Sequence, residues 1–281
     1  VSLSDGLESI GSYAFSGCKK LESVSIPKTV STIGDYAFQN CSGMSNVVFN
    51  ENSKTGFKLT IGSSAFYGCS GLETLDLTSN VTEIGGYAFS GCTGLEIVQL
   101  PDNIKKIGDY AFQNCSALTE LVLPGKVEYL GRNIISGTEI IEITVPKTVT
   151  ACDSNGPFGG TSNLKNIKIA EGMENIPNDL CENSYIESVE IPETVKTIGR
   201  YAFYKCGHLT NIVVPDSVTN IGDWAFQYCT MLKSASLSDG LETIGNYAFS
   251  GCKKLESVSI PKIVSTIGDY AFQNCSGMSN V

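Results

Sequence analysis

Eleven cysteines and one histidine hold most of the reactive side-chain chemistry in this 281-residue sequence. Nine of the cysteines share one repeat position: Cys18, Cys41, Cys69, Cys92, Cys115, Cys206, Cys229, Cys252 and Cys275. Thiols in such a row admit disulfides, a string of metal sites, or a nucleophile served by His208. No Cys-x-x-Cys pair occurs, and spacings of 23 do not suit zinc. Stacked copies would bring neighbouring Cα atoms to about 5 Å, inside the disulfide range. Yet Thr138 and Ser184 hold the same position, and the cysteine total is odd. A site that accepts Cys, Thr or Ser is a small buried slot, so a reduced ladder of thiols is expected. His208 lies between Gly207 and Leu209 with no nucleophile aimed at it. Phosphate-loop, dinucleotide and calcium-loop patterns are missing. The sequence therefore assigns no catalytic residue, no cofactor and no metal, and points away from an enzyme.

The elements that space these residues form a repeat. Aligned on Ile-Gly, the anchors are Ile10, Ile33, Ile61, Ile84, Ile107, Leu130, Ile198, Ile221, Ile244 and Ile267. The usual step is 23; it is 28 from Ile33 to Ile61, where residues 50–57 carry an insertion. Two degenerate units, anchored near Cys152 and Ile176, fill the irregular stretch 130–197, giving about 12 units. IGDYAFQNC recurs word for word at 33–41, 107–115 and 267–275. Each unit reads I-G-x-x-A-F-x-x-C-x-x-L-x-x-L-x-L-P. Apolar spacing in its first half predicts two turns of helix, with Ser12, Asp35, Ser63, Asp109, Asp223, Asn246 or Asp269 as caps. A step of two then predicts a strand, closed by a proline such as Pro27, Pro101 or Pro124. One such unit is too short to fold alone, and stacking supplies the missing burial.

The strand segments 21–27 and 118–124 read L-x-x-L-x-L, the mark of a leucine-rich repeat. The I-G-x-x-A-F-x-x-C half resembles the BspA-like (Treponema-type) leucine-rich repeats, and the resemblance covers nearly the whole chain. It implies an α/β, right-handed leucine-rich repeat solenoid with a parallel concave β-sheet and short convex helices or turns. It also implies a cell-surface or secreted location and a role in adhesion, with a protein or glycan ligand such as a host matrix protein. Where the pattern lapses, at Gly131–Ile135 and 153–163, regular curvature is not expected.

Alternation puts the residues flanking the middle strand position on the concave face. The central ones, Ile97, Gln99, Glu120, Val122, Glu142 and Thr144, mix apolar and acidic types and form one candidate ligand surface. A second is an aromatic edge preceding each Ala-Phe pair, including Tyr87, Tyr110, Tyr201 and Trp224, for which stacking between repeats is the plainer expectation. The insertion 50–57 and the glycine loop 156–160 are further candidates. Asn40, Asn80, Asn114 and Asn274 begin glycosylation patterns, read as accidents of the repeat.

With 42% hydrophobic and 17% charged residues the chain can bury a core. A formal charge of −10 argues against a nucleic-acid partner, and no apolar run is long enough for membrane insertion. Residues 1–47 and 235–281 differ at four positions, Val1/Ala235, Ser9/Thr243, Ser12/Asn246 and Thr29/Ile263. The reading is a single array, 1–281, that is a fragment of a longer one, beginning near Leu3 and ending at Val281 inside strands. Its uncapped ends would favour head-to-tail self-association. A structural spacer that holds other domains off a surface is the alternative role.

Overall fold

The computed structural model describes residues 3–279, so Val1 and Val281, with the expectations placed on them, lie outside the described residues. The chain divides into two compact units, Val1–Ile141 and Glu142–Val281. Each is a parallel β-solenoid built from the same repeat.

In the first unit a ladder of two to four residues per rung runs through Ser9–Ile10, Thr32–Ile33, Leu59–Ile61, Val81–Ile84, Lys106–Ile107 and Tyr129–Leu130. Every anchor pairs with the next, Ile10 with Ile33, Ile33 with Ile61, Ile61 with Ile84 and Ile84 with Ile107. In the second unit the same ladder passes through Asn175–Ile176, Thr197–Ile198, Asn220–Ile221, Thr243–Ile244 and Thr266–Ile267. The β-branched Thr-Ile pair suits a strand, and the reading of Ile-Gly as a helix entry passes over it.

The expected strands of the L-x-x-L-x-L segment form a second face. Ser23–Ile26 pairs with Asn46–Phe49, and Thr74–Asp76 with Ile97–Gln99. In the second unit Glu142–Val145, Asn166–Ile169 and Ser188–Glu190 pair in order, as do Asn211–Val213, Ser234–Ser236 and Ser257–Val258. No strand is formed at Glu120 and Val122.

The expected helices are a correction: the described residues contain none. Between Gly and Cys the chain makes successive tight turns. Ala37, Gln39 and Cys41 donate to carbonyls three residues back, whereas Tyr36, Phe38 and Asn40 donate to Ser63, Ala65 and Tyr67 of the next rung. Left-handed residues cause this alternation: φ is 58° at Tyr36 and 54° at Asn40. Every second N–H thus leaves its rung, which a helix forbids. The supposed caps act between rungs. Asp35 Oδ1 accepts the Ser63 N–H at 2.8 Å, and Asp223 Oδ1 the Asn246 N–H at 2.7 Å.

Rungs approach closely at the Gly of Ile-Gly. A Cβ on Gly108 would lie 2.6 Å from the Gly86 nitrogen. The core between the faces is a column of anchors, alanines, phenylalanines and cysteines, most of them fully buried. Phe38, Phe66, Phe89 and Phe112 stack at 5.1–5.6 Å within 8° of parallel. Phe203, Phe226, Phe249 and Phe272 repeat this in the second unit.

Candidate binding surface

The predicted outward residues divide between the two units. Ile97 and Gln99 stand exposed on their strand, opposite Thr74 and Asp76. Glu120 and Val122 follow on the next rung and also face solvent. Large apolar side chains are open here: Ile97 is 53% exposed, Val122 67% and Ile141 59%. Ile141 was not anticipated; its signal is an apolar residue at a repeat position that Thr119 fills one rung earlier. Glu142 and Thr144 lie in the second unit, where the Lys168 ammonium donates to Glu142 Oε1 at 2.9 Å. That pairing pushes the Lys168 pKa upward. Glu142 is thus an ion-pair partner on its own face.

The aromatic edge rests on strained backbone. Tyr87, Tyr110, Tyr201 and Trp224 take φ between 55° and 57°, unusual for bulky residues. Their rings stack on the next rung: Tyr87 on Tyr110 at 4.7 Å, Tyr201 on Trp224 at 5.1 Å, and Trp224 on Tyr247 at 5.8 Å. The Arg200 guanidinium lies over Tyr201 and Trp224, 4.9 and 4.4 Å from their ring centres. Arg132 covers Tyr110 in the same way. Ring faces are therefore occupied by neighbours, and the rings offer a ligand chiefly their edges. Burial pushes the Tyr87 hydroxyl up, with the Tyr110 hydroxyl beside it adding to the shift.

The thiol column is built into the core. Cys69, Cys92 and Cys115 donate to the carbonyls of Phe38, Phe66 and Phe89 at 3.1–3.3 Å, and Cys229 and Cys252 make the same bond to Phe203 and Phe226. All eleven cysteines are free. Burial pushes the Cys115 thiol up to about 12, so it stays protonated and a poor nucleophile. No group of three or more His, Cys, Asp or Glu able to hold a metal occurs among the described residues. His208 is exposed, its ring 5.4 Å from that of Tyr185.

In the irregular stretch Phe158 and Thr161 continue the phenylalanine and cysteine columns, and Cys181 takes a phenylalanine place. Burial and the neighbouring Glu182 raise the Asp179 carboxyl to about 6. Asn80, in one of the glycosylation patterns, is buried with its amide taken up by Asn52.

Residues 1–58, 57–156 and 154–279 match the family model described as BspA type Leucine rich repeat region (6 copies). The chain belongs to the BspA-type leucine-rich repeat family. A leucine-rich repeat protein from Bacteroides ovatus is similar at 30% identity and a TM-score of 0.67, over 98% of this chain and 76% of that one. A second, from Eubacterium ventriosum, shares 22% identity with a TM-score of 0.48, covering 92% of this chain and 91% of its own. A protein from Faecalibacterium prausnitzii, described as a leucine rich cell surface protein, shares 24% identity with a TM-score of 0.47, over 99% and 86% of the two chains. No curated protein matches. No helix is long and apolar enough to cross a membrane among the described residues. BspA-type membership accounts for the column architecture and leaves the outward residues to distinguish this chain.

Proposed function

We propose that the chain is a non-enzymatic binding module of a cell-surface or secreted protein, which presents the strand face of its first unit to a protein ligand. The observation that carries this is the exposure of Ile97, Val122 and Ile141 on three successive rungs. Single exposed apolar residues are ordinary, but large ones recurring on successive rungs, interspersed with Gln99 and Glu120, give the mixed apolar and polar make-up of an interface. A solvated sheet would carry polar residues there. Family membership supports the reading through its repeat architecture.

The test is a binding screen of the purified chain against host matrix proteins and glycans. Beside it runs a variant with Ile97, Gln99, Glu120 and Val122 replaced by serine. Loss of binding in a variant that unfolds like the parent supports the strand face. Retained binding moves the site to another surface. A chain that binds nothing favours a spacer role, for which the serine-rich strand face of the second unit (Ser234, Ser236 and Ser257) is the supporting observation.

A further inference from the structure

The insertion at 50–57 gives the first unit a loop that the 23-residue rungs lack. The loop walls a concavity of about 350 Å3 on the first unit, lined by Glu51, Lys54, Phe57, Lys58, Thr82 and Asn103 among others. The root of the loop is fixed. The Asn52 N–H donates to Asn80 Oδ1 at 2.7 Å, and Asn80 Nδ2 returns a bond to the Asn52 carbonyl at 3.0 Å. Asn52 Nδ2 also donates to the Lys28 carbonyl, and its Oδ1 accepts the Lys54 N–H. Asn80 is itself buried, so the wall is preorganised before any ligand arrives.

The lining is amphipathic and locally basic in an acidic chain. Lys54 and Lys58 make no ion pair among the described residues. Outside the lining, Lys126 donates to Oδ1 of the lining residue Asn103 at 3.2 Å. Glu51, the acid in the lining, accepts the Ser79 hydroxyl. Phe57 is half-buried and supplies the apolar element. The volume lies near the lower end of ligand pockets, roughly 300–1,000 Å3, which suits a small molecule rather than a folded partner. An apolar wall, neutral amide and hydroxyl groups, and two ammonium groups against the single Glu51 carboxylate leave a net positive lining that matches a sugar ring carrying one carboxylate.

We propose that this concavity binds an acidic sugar, its ring against Phe57 and its carboxylate between Lys54 and Lys58. The site is separate from the strand face and does not depend on it.

Saturation-transfer NMR and titration calorimetry with glucuronate and N-acetylneuraminate, glucose being the neutral control, test the proposal. The double substitution Lys54→Glu/Lys58→Glu reverses the charge. Deletion of residues 53–57 restores the 23-residue step and removes the wall. Unfolding midpoints show whether each variant keeps its fold, and the variant with Ile97, Gln99, Glu120 and Val122 replaced by serine keeps the sugar site intact. The expected result is millimolar binding of an acidic sugar, at least about 10-fold weaker for glucose and for either loop variant, and weakened by salt. No binding of either acidic sugar overturns the proposal, as does equal binding of glucose or binding that persists in both loop variants.

Discussion

Replacing Gly108 by alanine tests the closeness of the rungs. The added Cβ would sit 2.6 Å from the Gly86 nitrogen and 2.8 Å from the Gly85 carbonyl carbon. Both atoms are backbone, held by the ladder, and neither swings aside as a side chain would. An ordinary contact needs about 3.4 Å, so the rungs must part by roughly 0.8 Å, where overpacking typically costs about 1–3 kcal/mol. That parting stretches the bond from the Gly108 N–H to the Ile84 carbonyl, now 2.9 Å, beyond useful length. Its loss adds about 1 kcal/mol. Together these give a destabilisation of about 3 kcal/mol, or a fall in melting temperature of roughly 6–12 °C for a domain of this size. Gly125→Ala is the internal control, because a Cβ there meets nothing within 4 Å and the backbone is not left-handed. Urea titrations followed by circular dichroism compare the two. If Gly108→Ala unfolds within about 0.5 kcal/mol of the parent, the close approach of neighbouring backbones is not what fixes glycine in this column.

Three further predictions concern single rungs. Gly86 stands where Asp35 and Asp223 accept a neighbour's N–H, so Gly86→Asp should create that bond to the Asp109 N–H and stabilise the first unit by about 1 kcal/mol, read as a higher urea midpoint. Trp224→Ala removes two ring stacks and the Arg200 contact, an expected loss of about 2–3 kcal/mol in thermal unfolding, whereas Trp224→Tyr should recover most of it. Asp179 binds its proton more tightly in the folded chain than in the unfolded one, so its contribution to stability is full below its ordinary value of 3.8 and is lost as pH rises to about 6. Asp179→Asn should flatten that decline and raise the midpoint at pH 7; an unchanged pH profile would remove Asp179 as its source.

Much of the solenoid was legible in the sequence because burial repeats with the anchors. Ile33, Ala37, Phe38 and Cys41 are all fully buried, and the L-x-x-L-x-L strands fall where alternation puts them except at 118–124, which forms none. The helices were misread for a definite reason. Apolar spacing reports which residues face inward and is blind to the sign of φ. A tyrosine at φ 58° is not expected from propensity, and it is held there by cross-rung hydrogen bonds and by its stacked neighbour. Phe158 and Thr161 were missed because an extra residue near Asn155 and Gly156, both left-handed, shifts them by one from the Ile-Gly frame. The outward strand residues follow from alternation, but Ile141 lies just outside the strand Glu142–Val145 and escapes that rule. The loop concavity was signalled only by a broken period; its walls depend on Asn80, which the sequence offers merely as a glycosylation pattern.

The ring column also has an optical consequence. Trp224 is the sole tryptophan, and Tyr201 and Tyr247 lie 5.1 and 5.8 Å from it on either side. Tyr270 stacks on Tyr247 at 4.9 Å. Light absorbed by these phenols passes down the stack to the indole, whose emission then reports on several adjoining turns of the chain. Fraying that separates any of them returns emission to tyrosine. The second unit carries a built-in gauge of its own continuity, read from the ratio of two colours without a label.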